Sequence, residues 1–381
     1  MYDIIVAGAG PVGSAAAKYC ADAGLSILVL EEHGTIGHPV QCAGLLSNSA
    51  FTECGVTQDS VLNTATGASI IDSRGKALTF DTNETKACIV DRQALDFEMA
   101  EAAAAAGAKY QLKTCITRVN PAKQIIHTAA GDEIPYKLLI AADGPRSVIA
   151  RAYNIPPSKY IYAGIQAEVP RDGAANLVEL HPNAAPEFFA WVVPTAENRA
   201  RIGLLGTHDV PALFSAFSKK FAPSNLHSVT GTVPVGIREK TCGPGMLLAG
   251  DAAGFLKPTS GGGIYTGVRS ARHAAATAVA ACEADNYTNL FLSRYETMWR
   301  DDFGRELTWG LAALKLRRSL RTDEVDSCLA ALNTPEVIEK IKTKGDMDRP
   351  SELLKTLVMH PGVVKTIGLT GVRGLLRTIL D

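Results

Sequence analysis

Two glycine-rich segments contain the residues whose types and spacing could do chemistry in this chain. The first glycine segment, GAGPVG at residues 8–13, follows the short apolar run of residues 3–7. Its three glycines permit a tight turn and let the N–H groups at a helix N-terminus approach a pyrophosphate, so the segment predicts a dinucleotide site. The predicted contact comprises Gly8, Ala9, Gly10, Pro11, Val12 and Gly13.

A carboxylate follows the first glycine segment at the spacing that such sites use. Residues 26–30 predict a second strand that ends at Glu31, with Glu32 next to it. A carboxylate about 20 residues beyond the glycines accepts a hydrogen bond from a ribose hydroxyl. We therefore assign Glu31 and Glu32 to the ribose. This half of the site does not distinguish FAD from NAD.

The second glycine segment, GDAAGFLKPTSGGGI at residues 250–264, favours FAD. Residues 245–249 predict a strand that ends in a carboxylate, which suits a ribityl hydroxyl. The triple glycine then opens a predicted helix over 264–281, and a helix N-terminus suits the flavin edge that becomes anionic on reduction. One extended FAD site is predicted, with contacts from Gly250, Asp251, Pro258, Gly261, Gly262, Gly263 and Ile264.

Four further stretches match a known pattern: IGHPVQCAG, VDRQALDFEMA, AADGPRSVIAR and PVGIREKTCGPGMLLAGDAAG. Together with the glycine segments, they make about the first 300 residues resemble the geranylgeranyl reductase family of flavoproteins. The resemblance implies an enzyme that uses FAD to saturate isoprenoid double bonds, in archaeal-type ether lipids or in a chlorophyll or quinone side chain. Hydride would leave flavin N5, and the adjacent carbon would be protonated.

The resemblance also implies a role for the loop that contains Cys42. In the family this loop runs along the reactive side of the flavin, which makes Cys42 a candidate proton donor or substrate contact and Ala43 and Gly44 cofactor contacts. The alternative is that Cys42 is a small, apolar-like lining residue. The family usually has CGG where this chain has Cys42, Ala43 and Gly44.

Two more cofactor contacts are implied by the resemblance. Arg92 matches an arginine that reaches the ribityl-phosphate region, and the alternative is a surface arginine at a helix start. The family's DG motif packs against the ribose and pyrophosphate, and it matches Ala142, Asp143 and Gly144. Asp143 is in addition a candidate N-cap of a helix that begins near Arg146.

An aromatic pair is the candidate substrate wall. Phe189 and Trp191 fall on a predicted strand over 187–193 and provide the apolar surface that a prenyl chain needs, although core packing alone is an alternative. The family's aromatic-x-Trp motif has Tyr where this chain has Phe189, so no tyrosine hydroxyl is expected there.

The resemblance implies an α/β fold like that of p-hydroxybenzoate hydroxylase, and the pattern of predicted elements agrees with it. A Rossmann-like FAD domain alternates with an antiparallel-sheet substrate domain, and a helical C-terminal segment follows. The predicted FAD domain comprises residues 1–60, 85–151 and 240–285, the substrate domain comprises 61–84 and 152–239, and the helical region comprises 286–381.

Composition restricts the partners. The 38 Lys and Arg against 39 Asp and Glu give a net charge of -1, which does not favour nucleic acid. Eight cysteines without a C-x-x-C pair predict free thiols in a reducing cytoplasm, and scattered histidines predict no metal site. Because no second G-x-G-x-x-G is present, we expect an external electron donor, ferredoxin or NAD(P)H.

Membrane contact, if present, must be peripheral, because no apolar stretch approaches the roughly 18 residues needed to span a bilayer. Cations alternate with leucines over 314–321, and 362–381 repeat the mixture. Such a helix either lies on an anionic membrane on the cytoplasmic side or packs its leucines on the protein body. The cations concerned are Lys315, Arg317, Arg318 and Arg321.

Two other functions remain open at this point. A flavin monooxygenase or halogenase can use the same scaffold, although the halogenase W-x-W-x-I-P pattern is absent and Trp191 is followed by VVP. A non-catalytic, membrane-docked flavoprotein that carries electrons is the third interpretation. Reduction of an alkene without oxygen separates the first interpretation from these two.

Overall fold

The computed structural model describes residues 2–221, 227–366 and 368. In chain order its strands are β1 (Ile4–Ala7), β2 (Ile27–Leu30), β3 (Leu45–Ser47), β4 (Val61–Ala65), β5 (Gly67–Ile71), β6 (Ala77–Asp81), β7 (Ala87–Val90), β8 (Lys109–Gln111), β9 (Ile116–Asn120), β10 (Ile125–Thr128), β11 (Glu133–Pro135), β12 (Leu138–Ala141), β13 (Tyr160–Pro170), β14 (Leu177–His181), β15 (Ala190–Ala196), β16 (Arg199–Gly206), β17 (Ser228–Val235), β18 (Cys242–Gly243) and β19 (Met246–Leu248). Its helices are α1 (Pro11–Asp22), α2 (Asn48–Cys54), α3 (Arg92–Ala105), α4 (Val148–Ala152), α5 (Val210–Ser218), α6 (Ile264–Glu283), α7 (Asn289–Leu292), α8 (Arg294–Trp299), α9 (Arg305–Ser319), α10 (Thr322–Leu332), α11 (Pro335–Lys344) and α12 (Ser351–Val358).

A six-stranded sheet in the order β18-β19-β12-β1-β2-β8 carries the first glycine segment. Its strands are parallel except for the β18–β19 pair. The sequences IIVA, ILVL and LLIA of β1, β2 and β12 are buried throughout, as expected for parallel strands covered on both faces. Helix α1 packs between α3 and α6. The predicted Rossmann-like arrangement is confirmed.

A seven-stranded sheet in the order β17-β13-β16-β15-β14-β5-β6 forms the second layer. All of its neighbours are antiparallel except the parallel β14–β5 pair. The β5–β6 hairpin turns at residues 72–75. Helix α5 packs beneath β13 and β16 through Phe214 and Phe217.

One strand boundary differs from the prediction. Strand β15 begins at Ala190, so Trp191 lies on it but Phe189 precedes it. The N–H of Phe188 donates to the carbonyl of Ala185, and this turn delays the start of the strand. Phe189 therefore extends from a loop at the end of the sheet.

A separate three-stranded sheet has the order β3-β7-β4. Its first strand, β3, begins immediately after Gly44. Because β3 is fixed by antiparallel pairing with β7, the end of the preceding loop is anchored to ordered backbone. This loop, residues 41–44, is called the cysteine loop below.

The region after residue 285 is helical where the structure describes it, as predicted. Its first helices complete the core of the six-stranded sheet, since Tyr295, Trp299 and Phe303 are buried and the two latter rings pack on Phe255. No helix in the described ranges is both long and apolar enough to cross a bilayer. Residues 367 and 369–381 of the predicted basic-apolar tail lie outside the described residues.

Candidate functional site

The first glycine segment makes a turn that only glycine can adopt. Gly8 has φ +93°, and a Cβ there would lie 2.4 Å from the carbonyl oxygen of Ala142. A Cβ on Gly13 would lie 1.9 Å from the carbonyl oxygen of Gly8. These approaches pack α1 tightly on β1 and place the Ala142–Gly144 loop directly beside the turn.

The N-terminus of α1 has the features of an anion site. Its N-cap is Gly10, which supplies no side-chain cap, and Pro11 occupies the first turn. A Cβ at Gly10 would meet no atom within 4 Å, so the backbone there faces open space. Uncapped N–H groups with free space in front of them fit a pyrophosphate.

The two acidic residues predicted for the ribose differ in position. Glu31 is 9% exposed; its Oε2 accepts from the N–H of Ala9 at 2.8 Å and its Oε1 accepts from the N–H of His33 at 2.9 Å. The side chain of Glu32 is 60% exposed and points away from the turn, toward His33 and Cys115. Glu31 is therefore better placed than Glu32 for the predicted ribose contact.

Asp143 has an unsatisfied carboxylate oxygen at the same site. Its Oδ2 accepts from the N–H of Ile149 at 3.3 Å, whereas its Oδ1 is buried without a partner among the described residues. Burial raises the pKa of Asp143. The predicted N-cap role is wrong, because α4 begins at Val148 and Ser147 caps it by accepting from the N–H of Ala150 at 2.9 Å. The orphaned oxygen fits a ligand hydroxyl.

The second glycine segment brings another carboxylate and another helix end. Asp251 follows β19 in a 3₁₀ turn, and burial raises its pKa to about 6, although Arg92 acts in the opposite direction. Helix α6 begins at Ile264, and its N-cap Gly263 provides no side-chain cap. A buried carboxylate beside open N–H groups fits the ribityl chain and the polar edge of a flavin.

The Arg92 side chain is only 13% exposed and lies beside the cysteine loop, which disfavours the alternative of a surface arginine. Its Nε and Nη2 donate to the two carboxylate oxygens of Asp96 at 3.0 and 3.1 Å. Burial alone lowers the pKa of Arg92, but the Asp96 carboxylate and the Cys42 thiol raise it above the ordinary value. Cys42 Sγ also accepts from the N–H of Gly44 at 3.4 Å. The sulfur of Cys42 therefore lies next to both the N–H of Gly44 and the guanidinium of Arg92.

Two polar side chains from the seven-stranded sheet hold the cysteine loop, and sequence analysis missed both. Gln166 Nε2 donates to the carbonyl of Cys42 at 3.1 Å. Arg201 Nη1 donates to the carbonyls of Ala43 and Val90, each at 3.0 Å. Gln166 and Arg201 each have an apolar residue on either side in their strands, and this local pattern does not identify the partner.

An aromatic cluster lies where the sheet meets the second glycine segment. The ring centroids of Phe188 and Phe189 are 4.6 Å apart, and those of Phe189 and Trp191 are 6.4 Å apart. A Cβ on Gly261 would lie 3.6 Å from the Phe188 ring, so the cluster touches the segment. Apolar side chains next to the predicted flavin position fit a hydrocarbon substrate.

Helix α9 covers the other side of this aromatic cluster. Leu314 packs into the cluster, and the guanidinium of Arg318 donates to the Tyr162 hydroxyl at 2.7 Å. Arg317 donates to the carbonyl of Pro182 at 2.6 Å. Two of the cations predicted for a membrane-facing helix are therefore engaged with the protein body.

Comparisons with known proteins agree with this geometry. The family described as "FAD binding domain" matches residues 1–209. Digeranylgeranylglycerophospholipid reductase 1 of Methanopyrus kandleri is 31% identical over 91% of this chain and 98% of its own length. A geranylgeranyl bacteriochlorophyll reductase-like structure from Thermoplasma acidophilum has 25% identity and a TM-score of 0.82, over 93% of this chain and 99% of its own.

A more distant structure is similar in fold alone. The p-nitrophenol 4-monooxygenase of Pseudomonas putida has 16% identity and a TM-score of 0.72, over 90% of this chain and 97% of its own. The predicted fold class is confirmed by these likenesses.

Proposed function

We propose a function from the premise that this chain belongs to the FAD-binding-domain family and, within it, to the geranylgeranyl reductases. The chain is an FAD-dependent reductase that saturates isoprenoid double bonds of a lipid. The observation that carries this conclusion is the similarity to a digeranylgeranylglycerophospholipid reductase, which extends over almost the whole length of both chains.

The cofactor is FAD, and we propose that it extends from the first to the second glycine segment. The open N-terminus of α1 holds the pyrophosphate, with Glu31 and Asp143 toward the ribose. Asp251 accepts from the ribityl chain, and the N-terminus of α6 faces the flavin edge. The clash-free space at Gly10 and the orphaned oxygen of Asp143 support this assignment.

We propose that Cys42 donates the proton in alkene reduction. When bound and reduced, FAD would supply a hydride from N5 to one alkene carbon. The Cys42 thiol gives its proton to the other carbon and regains one from water. The N–H of Gly44 donates to the sulfur, and the guanidinium of Arg92 lies next to it. Gln166 and Arg201 keep the loop in place through its carbonyls.

Substrate binding then depends on burial, since an uncharged alkene offers no group for a hydrogen bond. Each Å² of apolar surface removed from water contributes about 25 cal/mol. We propose that Phe189 and Trp191 provide this surface. Reducing equivalents come from an external donor, ferredoxin or NAD(P)H, that binds transiently, and contact with the membrane on the cytoplasmic side is peripheral.

The test is a single turnover without oxygen. Holoenzyme reduced with dithionite is mixed with a geranylgeranyl lipid; flavin oxidation is followed by absorbance and hydrogen uptake by mass spectrometry. We expect saturated product, and we expect Cys42→Ser to slow flavin oxidation strongly while FAD remains bound, since a hydroxyl is a far poorer acid than a thiol. Cys328→Ser on α10 is the matched control.

Each outcome has a distinct meaning. Lipid returned without added hydrogen would overturn the reductase function. Product formed at an unchanged rate by Cys42→Ser would remove only the proton-donor role. In a separate assay with air, oxygen consumption with NAD(P)H and an oxygenated product would instead support the monooxygenase interpretation, whose fold this chain shares.

A further inference from the structure

A buried ion pair joins the second glycine segment to the C-terminal helices. The Nζ of Lys257 lies 2.5 Å from Oδ1 of Asp348 and donates to the carbonyl of Met347 at 3.0 Å. The side chains of Lys257 and Asp348 are 8% and 2% exposed. The other carboxylate oxygen of Asp348 accepts from the hydroxyl of Ser47. A single carboxylate therefore has two partners from distant parts of the chain.

The two partners belong to the two loops on which the proposed site depends. Lys257 organises the second glycine segment, because its N–H donates to the carbonyl of Gly262 at 3.0 Å and its carbonyl accepts from the N–H of Gly261 at 2.9 Å. Ser47 ends β3, directly after the cysteine loop, and caps α2. Asp348 thus cross-links the triple-glycine turn to β3, the strand that follows the cysteine loop.

Helix α9 also contacts both the second glycine segment and the chain that follows Asp348. A Cβ on Gly310 would lie 2.9 Å from the ring of Pro258, so the helix backbone touches the segment beside Lys257. Glu306 of α9 accepts from the N–H and the hydroxyl of Ser351, which fixes the chain just after Asp348. The turn that presents Asp348 is consequently held from both sides.

We propose that Asp348 is a positioning residue that sets the geometry between the triple-glycine turn and the cysteine loop and balances the charge of Lys257 under the flavin edge. This inference rests on the proposed function for the placement of FAD. The C-terminal helices are on this view a part of the redox centre. A buried cation without its carboxylate favours the anionic reduced flavin, whereas a buried carboxylate without its cation disfavours it.

The test compares flavin midpoint potentials in the holoenzyme. We expect Asp348→Asn to raise the potential and Lys257→Met to lower it, since each leaves the opposite charge uncompensated. The double variant K257M/D348N should return toward the wild-type potential. It also removes both buried charges, which keeps the test available if a single variant fails to fold. Glu336→Gln, in an exposed ion pair on α11, is the matched control and should change nothing.

FAD affinity provides a second measurement that does not depend on substrate. Both single variants should bind FAD more weakly than the double variant if the pair acts as one unit. Midpoint potentials that shift in the same direction in both single variants would overturn the positioning role. A double variant whose loss of FAD affinity equals the sum of the two single losses would also overturn it. Failure of the proposed reductase function would appear differently, as unaltered lipid in a turnover with the wild-type enzyme.

Discussion

The two glycine segments hold the same proposed ligand but are built in different ways. The first is mostly local: a Cβ on Gly13 would meet the carbonyl oxygen of Gly8, and Glu31 accepts from the N–H of Ala9, within two strands and one helix of the six-stranded sheet. The second depends on distant chain, because Lys257 is paired with Asp348 and Pro258 lies against Gly310. The proposed pyrophosphate site is thus formed largely within one βαβ unit, whereas the proposed flavin end also depends on the helical region.

The largest expected effect comes from Gly13→Ala in the local segment. The new methyl group would lie 1.9 Å from a backbone oxygen that cannot move without displacing β1 or α1. We expect loss of both the folded apoprotein and FAD binding. Thermal unfolding of the apoprotein and flavin content after purification measure the two effects. A soluble variant with wild-type melting temperature would contradict the close packing described.

In the same segment, Gly10→Ala should change FAD binding without changing the folding of the apoprotein. Its Cβ meets no protein atom within 4 Å, and its φ of -68° is compatible with alanine. We expect the apoprotein to unfold normally while FAD affinity falls, because the methyl group occupies space assigned to the pyrophosphate. Unchanged FAD affinity would contradict the assignment of this space to the pyrophosphate.

The variant Asp251→Asn tests the second glycine segment through the pH dependence of apoprotein stability. The pKa of Asp251, about 6 in the folded chain, lies above the unfolded value of about 3.9. Its contribution to apoprotein stability is therefore present below about pH 4 and lost as pH rises through about 6, an effect that asparagine cannot show. Relative to wild type, the variant apoprotein should gain up to about 3 kcal/mol in unfolding free energy between these limits. Chemical denaturation at several pH values measures this difference.

The same variant should bind FAD more weakly, by roughly 1 to 3 kcal/mol for a lost charged hydrogen bond. A flat difference in unfolding free energy across the pH range would show that Asp251 is not desolvated in the apoprotein. Full FAD occupancy would remove its proposed contact with the ribityl chain.

Gly310→Ala should have the smallest effect on stability of these variants. It tests most directly whether the second glycine segment depends on the helical region. Alanine favours a helix interior by about 1 kcal/mol, whereas overpacking against Pro258 costs roughly 1 to 3 kcal/mol. The melting temperature should therefore change little, while the displaced segment weakens FAD binding. Isothermal titration of the apoprotein with FAD, with Ser319→Ala on the same helix as control, makes the comparison. Unchanged affinity would mean that α9 does not brace the segment.

The difference between the segments also explains what sequence could predict. Strands β1, β2 and β19, the start of α6 and the turn at Gly8 follow from short patterns of apolar residues and glycine, so each was predicted near its observed bounds. The family resemblance implied that Arg92 reaches the cofactor, but its Asp96 partner, one helical turn away, was not predicted.

Long-range partners were not predictable by the same means. Gln166 and Arg201 alternate with apolar neighbours in β13 and β16, and nothing local indicates that they bind loop carbonyls. Asp348 lies in a polar turn that resembles any surface turn. Gly310, an isolated glycine inside a helix, is a usable signal of close packing, although the contact itself is seen only in three dimensions.

The strand order of the central sheet has a consequence for synthesis of the chain. Strand β1 pairs with β12, and β12 pairs with β19, so the third neighbour in this row emerges from the ribosome only after residue 248. Until then the nascent chain carries an open, apolar parallel edge, and parallel pairing over such separations is slow. While residues 142–245 are synthesised, this edge of β12 is therefore available for pairing with other chains.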